Sequence, residues 1–164
     1  MKEFPRNVTA MLFCIALAAC ATDGAPRLQQ MTAPVVPEVG QGESRFGALP
    51  PRKLAAGECG MFLWLRNAER KLVFFGAGAG TAKAMIDGRE VEMTRIAIGG
   101  REAFGQYEDQ TYTYPGHRLQ LHIGFEQRAG LDRGVVVPQG TLRLQQDDGW
   151  EYILPVGGLV ACEG

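Results

Sequence analysis

From His117 the chain alternates, with Leu119, Leu121, Ile123 and Phe125 of one parity and Arg118, Gln120, His122 and Glu126 of the other. Period-two alternation marks a half-buried antiparallel strand. Met61 to Leu65 is apolar at every position within Gly60 to Arg66, which suits a strand buried on both faces, and Asn67 to Arg70 supplies the following turn. A second apolar strand is expected over Lys71 to Phe75. Thr81 to Ile86 and Arg89 to Ala97 flank Asp87-Gly88, and an Asp-Gly pair between strands is a strong type I′ hairpin signal. Gln110 to Tyr114 ends at Pro115-Gly116. Further strands are expected at Val135 to Val137, Thr141 to Gln146, Trp150 to Leu154 and Leu159 to Cys162, with a tight turn at Asp147-Asp148-Gly149. No segment carries a helical period. Seven to nine short strands at this spacing predict an all-β fold, a small antiparallel barrel or sandwich.

Composition places these strands in one domain, Leu54 to Gly164, which holds 18 of the chain's 22 glycines, placed between the apolar runs. Its 11 basic and 14 acidic residues give a net charge of −3, so nothing in it attracts nucleic acid. Ahead of it, residues 21–53 carry Pro26, Pro34, Pro37, Pro50 and Pro51 among Ala, Gly and Gln with no strand or helix period. That stretch reads as a flexible spacer with an end-to-end distance of about 30 Å.

The first residues have a different design. Lys2 and Arg6 precede the apolar run Val8 to Leu17, and small residues lead to Cys20, the layout of a secretory signal. Leu17-Ala18-Ala19-Cys20 resembles the lipobox of bacterial lipoproteins. The resemblance implies cleavage after residue 19 and lipid on Cys20, leaving residues 20–53 as a lipidated tether and residues 54–164 as the domain. The apolar run of about ten residues is too short to span a bilayer, which takes about 20. Ala21 follows the cysteine, and in the family's sorting rule the absence of Asp there implies the outer membrane, periplasmic face.

An exported chain also changes the reading of the cysteines. Cys14 lies in the signal and Cys20 takes the lipid, leaving Cys59 and Cys162 to bracket the domain. Such a pair reads as a disulfide in an oxidising compartment. If Cys59 starts the first strand and Cys162 ends the last, the bridge staples the two ends of a closing sheet. With only His117 and His122 besides these cysteines, no zinc site is expected.

Candidate chemistry is sparse. Ser44, in the tether, is the only serine, which excludes a serine hydrolase. Disulfide-bonded cysteines supply no thiolate, and His117 and His122 have opposite strand parity, so they face opposite ways. Gly76-Ala77-Gly78-Ala79-Gly80 lacks the following helix that a phosphate-binding loop needs and reads as a hairpin connection. Glu108-Asp109 and Asp147-Asp148 are neighbours along a strand or turn rather than carboxyls facing across a cleft. No catalytic residue, metal or cofactor is therefore expected. Tyr107, Tyr112 and Tyr114, interleaved with polar residues from Phe104 onward, form the candidate binding face, since Tyr gives large contact area at small entropic cost. The alternative is that Tyr112 and Tyr114, of one parity, cover the core.

The lipobox and the Cys59…Cys162 arrangement together are similar in layout to the periplasmic inhibitors of c-type lysozymes, which are lipobox-bearing small β-barrels. The active-site loop of that family is rich in Ser and Gly and has no serine counterpart here, so no inhibitory residue carries over. The expectation is a membrane-anchored envelope module that binds a protein or glycan, with lysozyme inhibition or a carboxylate-dependent glycan enzyme as alternatives.

Overall fold

The computed structural model describes residues 45–164, in which every element is a β-strand. They are β1 (Phe46–Gly47), β2 (Cys59–Leu65), β3 (Leu72–Ala77), β4 (Thr81–Ile86), β5 (Arg89–Ala103), β6 (Gln106–Tyr114), β7 (His117–Ile123), β8 (Gly134–Gln146) and β9 (Glu151–Cys162). Strands β2 to β9 each pair antiparallel with the next in sequence, and β9 pairs back with β2. The result is a closed, eight-stranded up-and-down barrel, with β1 added along the end of β4. Closure leaves no free edge in the ring. The lipobox, Cys20 and residues 21–44 of the expected tether lie outside the described residues.

Parity sorts inside from outside. Met61, Leu63 and Leu65 of β2, Ala82, Ala84 and Ile86 of β4, and Leu119, Leu121 and Ile123 of β7 all point into the barrel and are buried. The small Ala82 and Ala84 leave room for Phe74 and Tyr112, whose rings meet edge-on at 5.4 Å. A small barrel fills its interior with alternating large and small side chains in this way. Cys59 and Cys162 are Cα partners across the closing pair β2–β9 and form the disulfide, so the bridge sits on the seam.

Four expectations change. The domain begins before Leu54: Phe46 and Leu49 are buried, Phe46 pairs with Ile86, and the Leu49 N–H donates to Leu72 O at 2.7 Å. The prolines at 50 and 51 follow this anchored stretch, and proline content alone does not separate a packed extended arm from a spacer. Val135–Val137 and Thr141–Gln146 belong to one strand, β8, bulged between Val137 and Gly140 with Pro138 in the bulge, where a missing N–H costs no ladder bond. The expected strands Trp150–Leu154 and Leu159–Cys162 likewise merge into β9, which leaves out Trp150, because Gly157 and Gly158 stay in the ladder opposite Trp64 and Leu63. Finally, β5 runs on to Ala103 rather than ending at Ala97, through bulges at Arg95/Ala97 and Gly99/Glu102.

That extension makes β5 and β6 a long hairpin that leans back onto the β3–β4 turn. Gln106 Nε2 donates to Gly76 O at 3.3 Å, and a Cβ placed on Gly105 would lie 3.3 Å from Gly78 Cα. Gly76 and Ala77 end β3 and Gly78–Gly80 make the hairpin connection, with the added property that the bare backbone lets the neighbouring hairpin tip approach.

Candidate functional site

The three tyrosines expected to share a face occupy three environments. Tyr112 is fully buried inside the barrel, and burial pushes its phenol pKa up to about 12. Its hydroxyl donates to Gln110 Oε1 at 2.8 Å, which also accepts from Arg95 Nη1 at 3.0 Å. Tyr107 is half-buried, with the Arg95 guanidinium 5.3 Å from its ring centroid, and its carbonyl accepts from Gln110 Nε2. Tyr114 lies at the other end of β6, stacked on His117 at 4.4 Å, with its phenol also pushed up to about 12 by burial. These residues therefore make no common binding surface. Tyr112 and Tyr114 instead follow the core-facing parity of β6, the alternative that the sequence offered.

The remaining sequence candidates also separate. His122 points outward from β7, and its Nδ1 lies 2.6 Å from Asp109 Oδ1, while His117 sits with Tyr114 and Gln146. Glu108 is held by Arg101, whose Nε donates to Oε1 at 2.9 Å, and this bond holds the Glu108 carboxyl below its ordinary pKa. A carboxyl kept ionised in this way is a poor proton donor. Glu108, Asp109 and His122 line one groove of 820 Å³ with Thr141 and Glu126. Asp147 lines a different one with Tyr114 and His117, so the two acidic pairs do not converge.

Two outward surfaces escaped sequence reasoning. The first is the far half of the β5–β6 hairpin, where Ile96 and Ile98 are each 54% exposed and Phe104 is 37% exposed. Ile96 sits in the bulge between Arg95 and Ala97, and Phe104 in the β5–β6 turn with a left-handed φ of 53°. The second lies across the seam. Phe62 and Trp64, between the inward Met61, Leu63 and Leu65, point outward and stack with centroids 6.2 Å apart. Leu49, Pro51, Leu72 and Leu159 join them around a 450 Å³ groove, with Arg52 over the ring of Phe75. Trp64 also borders a second groove of 680 Å³ with Arg66, Arg70 and Gly157. The visible signal was the aromatic character of positions 62 and 64 against aliphatic and Met neighbours. Reading the run as buried on both faces concealed it.

No family model matches the chain, and neither the curated proteins nor the solved structures contain a match. The function therefore has to be argued from these surfaces.

Proposed function

We propose that the protein is a lipoprotein of the outer membrane, held on its periplasmic face by lipid on Cys20, and that its barrel is a binding module rather than an enzyme. One observation carries the binding reading: Ile96, Ile98 and Phe104, three of the four exposed large apolar residues among those described, lie on one overhanging hairpin. Large apolar side chains left exposed together on one protruding element are the kind of surface that a partner covers. The interior is filled by the core side chains, so a partner has to be met on the outside. The reading requires no cofactor and no nucleic acid.

Cross-linked capture from envelope extract tests it, using the full chain and an Ile96→Glu/Ile98→Glu variant. One envelope protein retained by the parent and lost by the folded variant supports the reading, and identical captures from both sink it. Cys20→Ala tests the anchor: the protein should leave the membrane fraction, and continued sedimentation with membranes contradicts lipidation.

A second reading is inhibition of a lysozyme-like glycosidase, supported by the disulfide-closed barrel combined with the lipobox. Excess protein should then slow lysis of a cell-wall suspension, and an unchanged rate rejects it. Hydrolysis of envelope glycans has less support, since Glu108 and Asp109 line one groove and Asp147 another.

A further inference from the structure

We propose that the groove over Trp64, on the side of the barrel opposite the β5–β6 hairpin, binds an anionic glycan. Sugar rings lie on the Phe62–Trp64 platform while carboxylates attached to them pair with Arg66 and Arg70. The argument begins with the floor. Trp64 and Phe62 stand on the outer face of β2, their planes within 23° of each other. Opposite Trp64 in the ladder is Gly157, and the Arg66 side chain lies over it, its Cδ 3.4 Å from where a Cβ on Gly157 would stand. Phe62 and Trp64 are only half-buried there, and a flat aromatic face is the surface on which sugar C–H groups stack.

Charge sets the rest of the chemistry. The two grooves that meet at Trp64 are lined by three arginines and no carboxylate. Arg52 is engaged by Glu90 at 2.6 Å. Arg66 Nη1 donates to the Pro138 carbonyl at 3.0 Å, and no carboxylate of the described residues pairs with Arg66 or Arg70. Arg70 is held in a left-handed backbone conformation, φ 46°, by Asn67 Oδ1, which accepts from the N–H groups of Glu69 and Arg70. Two guanidiniums with donors to spare beside an aromatic floor match a planar carboxylate on an otherwise apolar ring.

The occupant follows from what the groove lacks. β2 is bonded to both β3 and β9, and β9 to both β2 and β8. No ladder edge is free at this place, so an extended peptide has nothing to add to as a new strand. Recognition must come from ring faces and side-chain donors, which a glycan with pendant carboxylates satisfies. This is a second site, independent of the partner surface on the hairpin.

The test uses the full chain in detergent, disulfide formed, carrying Trp150→Phe so that Trp64 is the only tryptophan left to emit. Soluble cell-wall glycan fragments bearing peptide carboxylates are titrated against it, with neutral N-acetylglucosamine oligomers as the uncharged comparison. A saturable change in Trp64 emission is expected, weakened by added salt and by about tenfold or more in Arg66→Gln/Arg70→Asn. Asn tolerates the left-handed conformation at position 70. Arg70→Asn alone serves if the double variant does not melt like the parent. Unchanged emission, equal binding of the neutral oligomers, or full affinity in the arginine variants overturns the proposal. A protein partner captured through Ile96 and Ile98 with no response at Trp64 leaves the binding-module reading standing and this site rejected.

Discussion

Cys59 and Cys162 face each other across the one strand pair that turns a meander into a barrel, with their Cα atoms 4.0 Å apart and a separation of 103 positions in sequence. Every other pair in the ring is joined by a short connection, whereas β9 has to find β2 across the length of the domain. The disulfide removes that search from the unfolded chain. Replacing both cysteines with Ala should lower stability by about 4 to 5 kcal/mol, the chain-entropy value for a loop of this size. Urea unfolding of the oxidised parent and the double variant measures the difference.

The arm before the barrel contributes through Phe46, buried against the core beside Ile86. Phe46→Ala should cost about 3 to 5 kcal/mol, the range for emptying a buried aromatic site. A fragment starting at Leu54 should be destabilised at least as much as that variant, by the same denaturant measurement. Equal stability of fragment and parent would place the domain boundary at Leu54 after all.

Gly105 and Gly57 share a φ of +76°, but only Gly105 has backbone, that of Gly78, close to where a Cβ would stand. Gly57→Val therefore reports the backbone strain alone, about 1 to 3 kcal/mol. Gly105→Val should cost more than Gly57→Val, because it also pushes the hairpin tip off the β3–β4 turn. Amide hydrogen exchange should quicken over the far half of β5 in Gly105→Val and not in Gly57→Val.

Arg45 donates from Nε to Asp87 Oδ1 at 2.8 Å, and this bond holds the Asp87 carboxyl below its ordinary pKa. A carboxyl depressed in the folded state stabilises the protein above about pH 4 and loses that contribution as pH falls through its folded value. Asp87 is half exposed, so the effect is about 0.5 to 1 kcal/mol. Arg45→Ala should show a smaller loss of stability than the parent between about pH 5 and pH 2, read from denaturant midpoints across that range.

Local stereochemistry made much of this fold legible. Asp87-Gly88 and Pro115-Gly116 place chain reversals that depend on neighbouring residues only, and Thr81–Ile86 has the bounds expected. The strict alternation of β7 matches its buried and exposed faces residue by residue. The tyrosine face was misread because an aromatic–polar mixture looks the same in a one-letter code whether the ring turns in, as Tyr112 does, or out.

By itself, then, the sequence determined the all-β class and most of the turns, since each depends on the backbone and side-chain preferences of a few adjacent residues. Only the tertiary structure decided that the sheet closes into a barrel, that Phe46 belongs to its core, that Phe62 and Trp64 stand outside it, and that β5 and β6 continue past the ring. Those outcomes turn on which parity faces the curved interior and on contacts between residues far apart in the chain, such as Gly105 with Gly78 and Trp64 with Gly157. Closure forces one face of every strand inward at once, and no single strand carries enough information to choose its face alone.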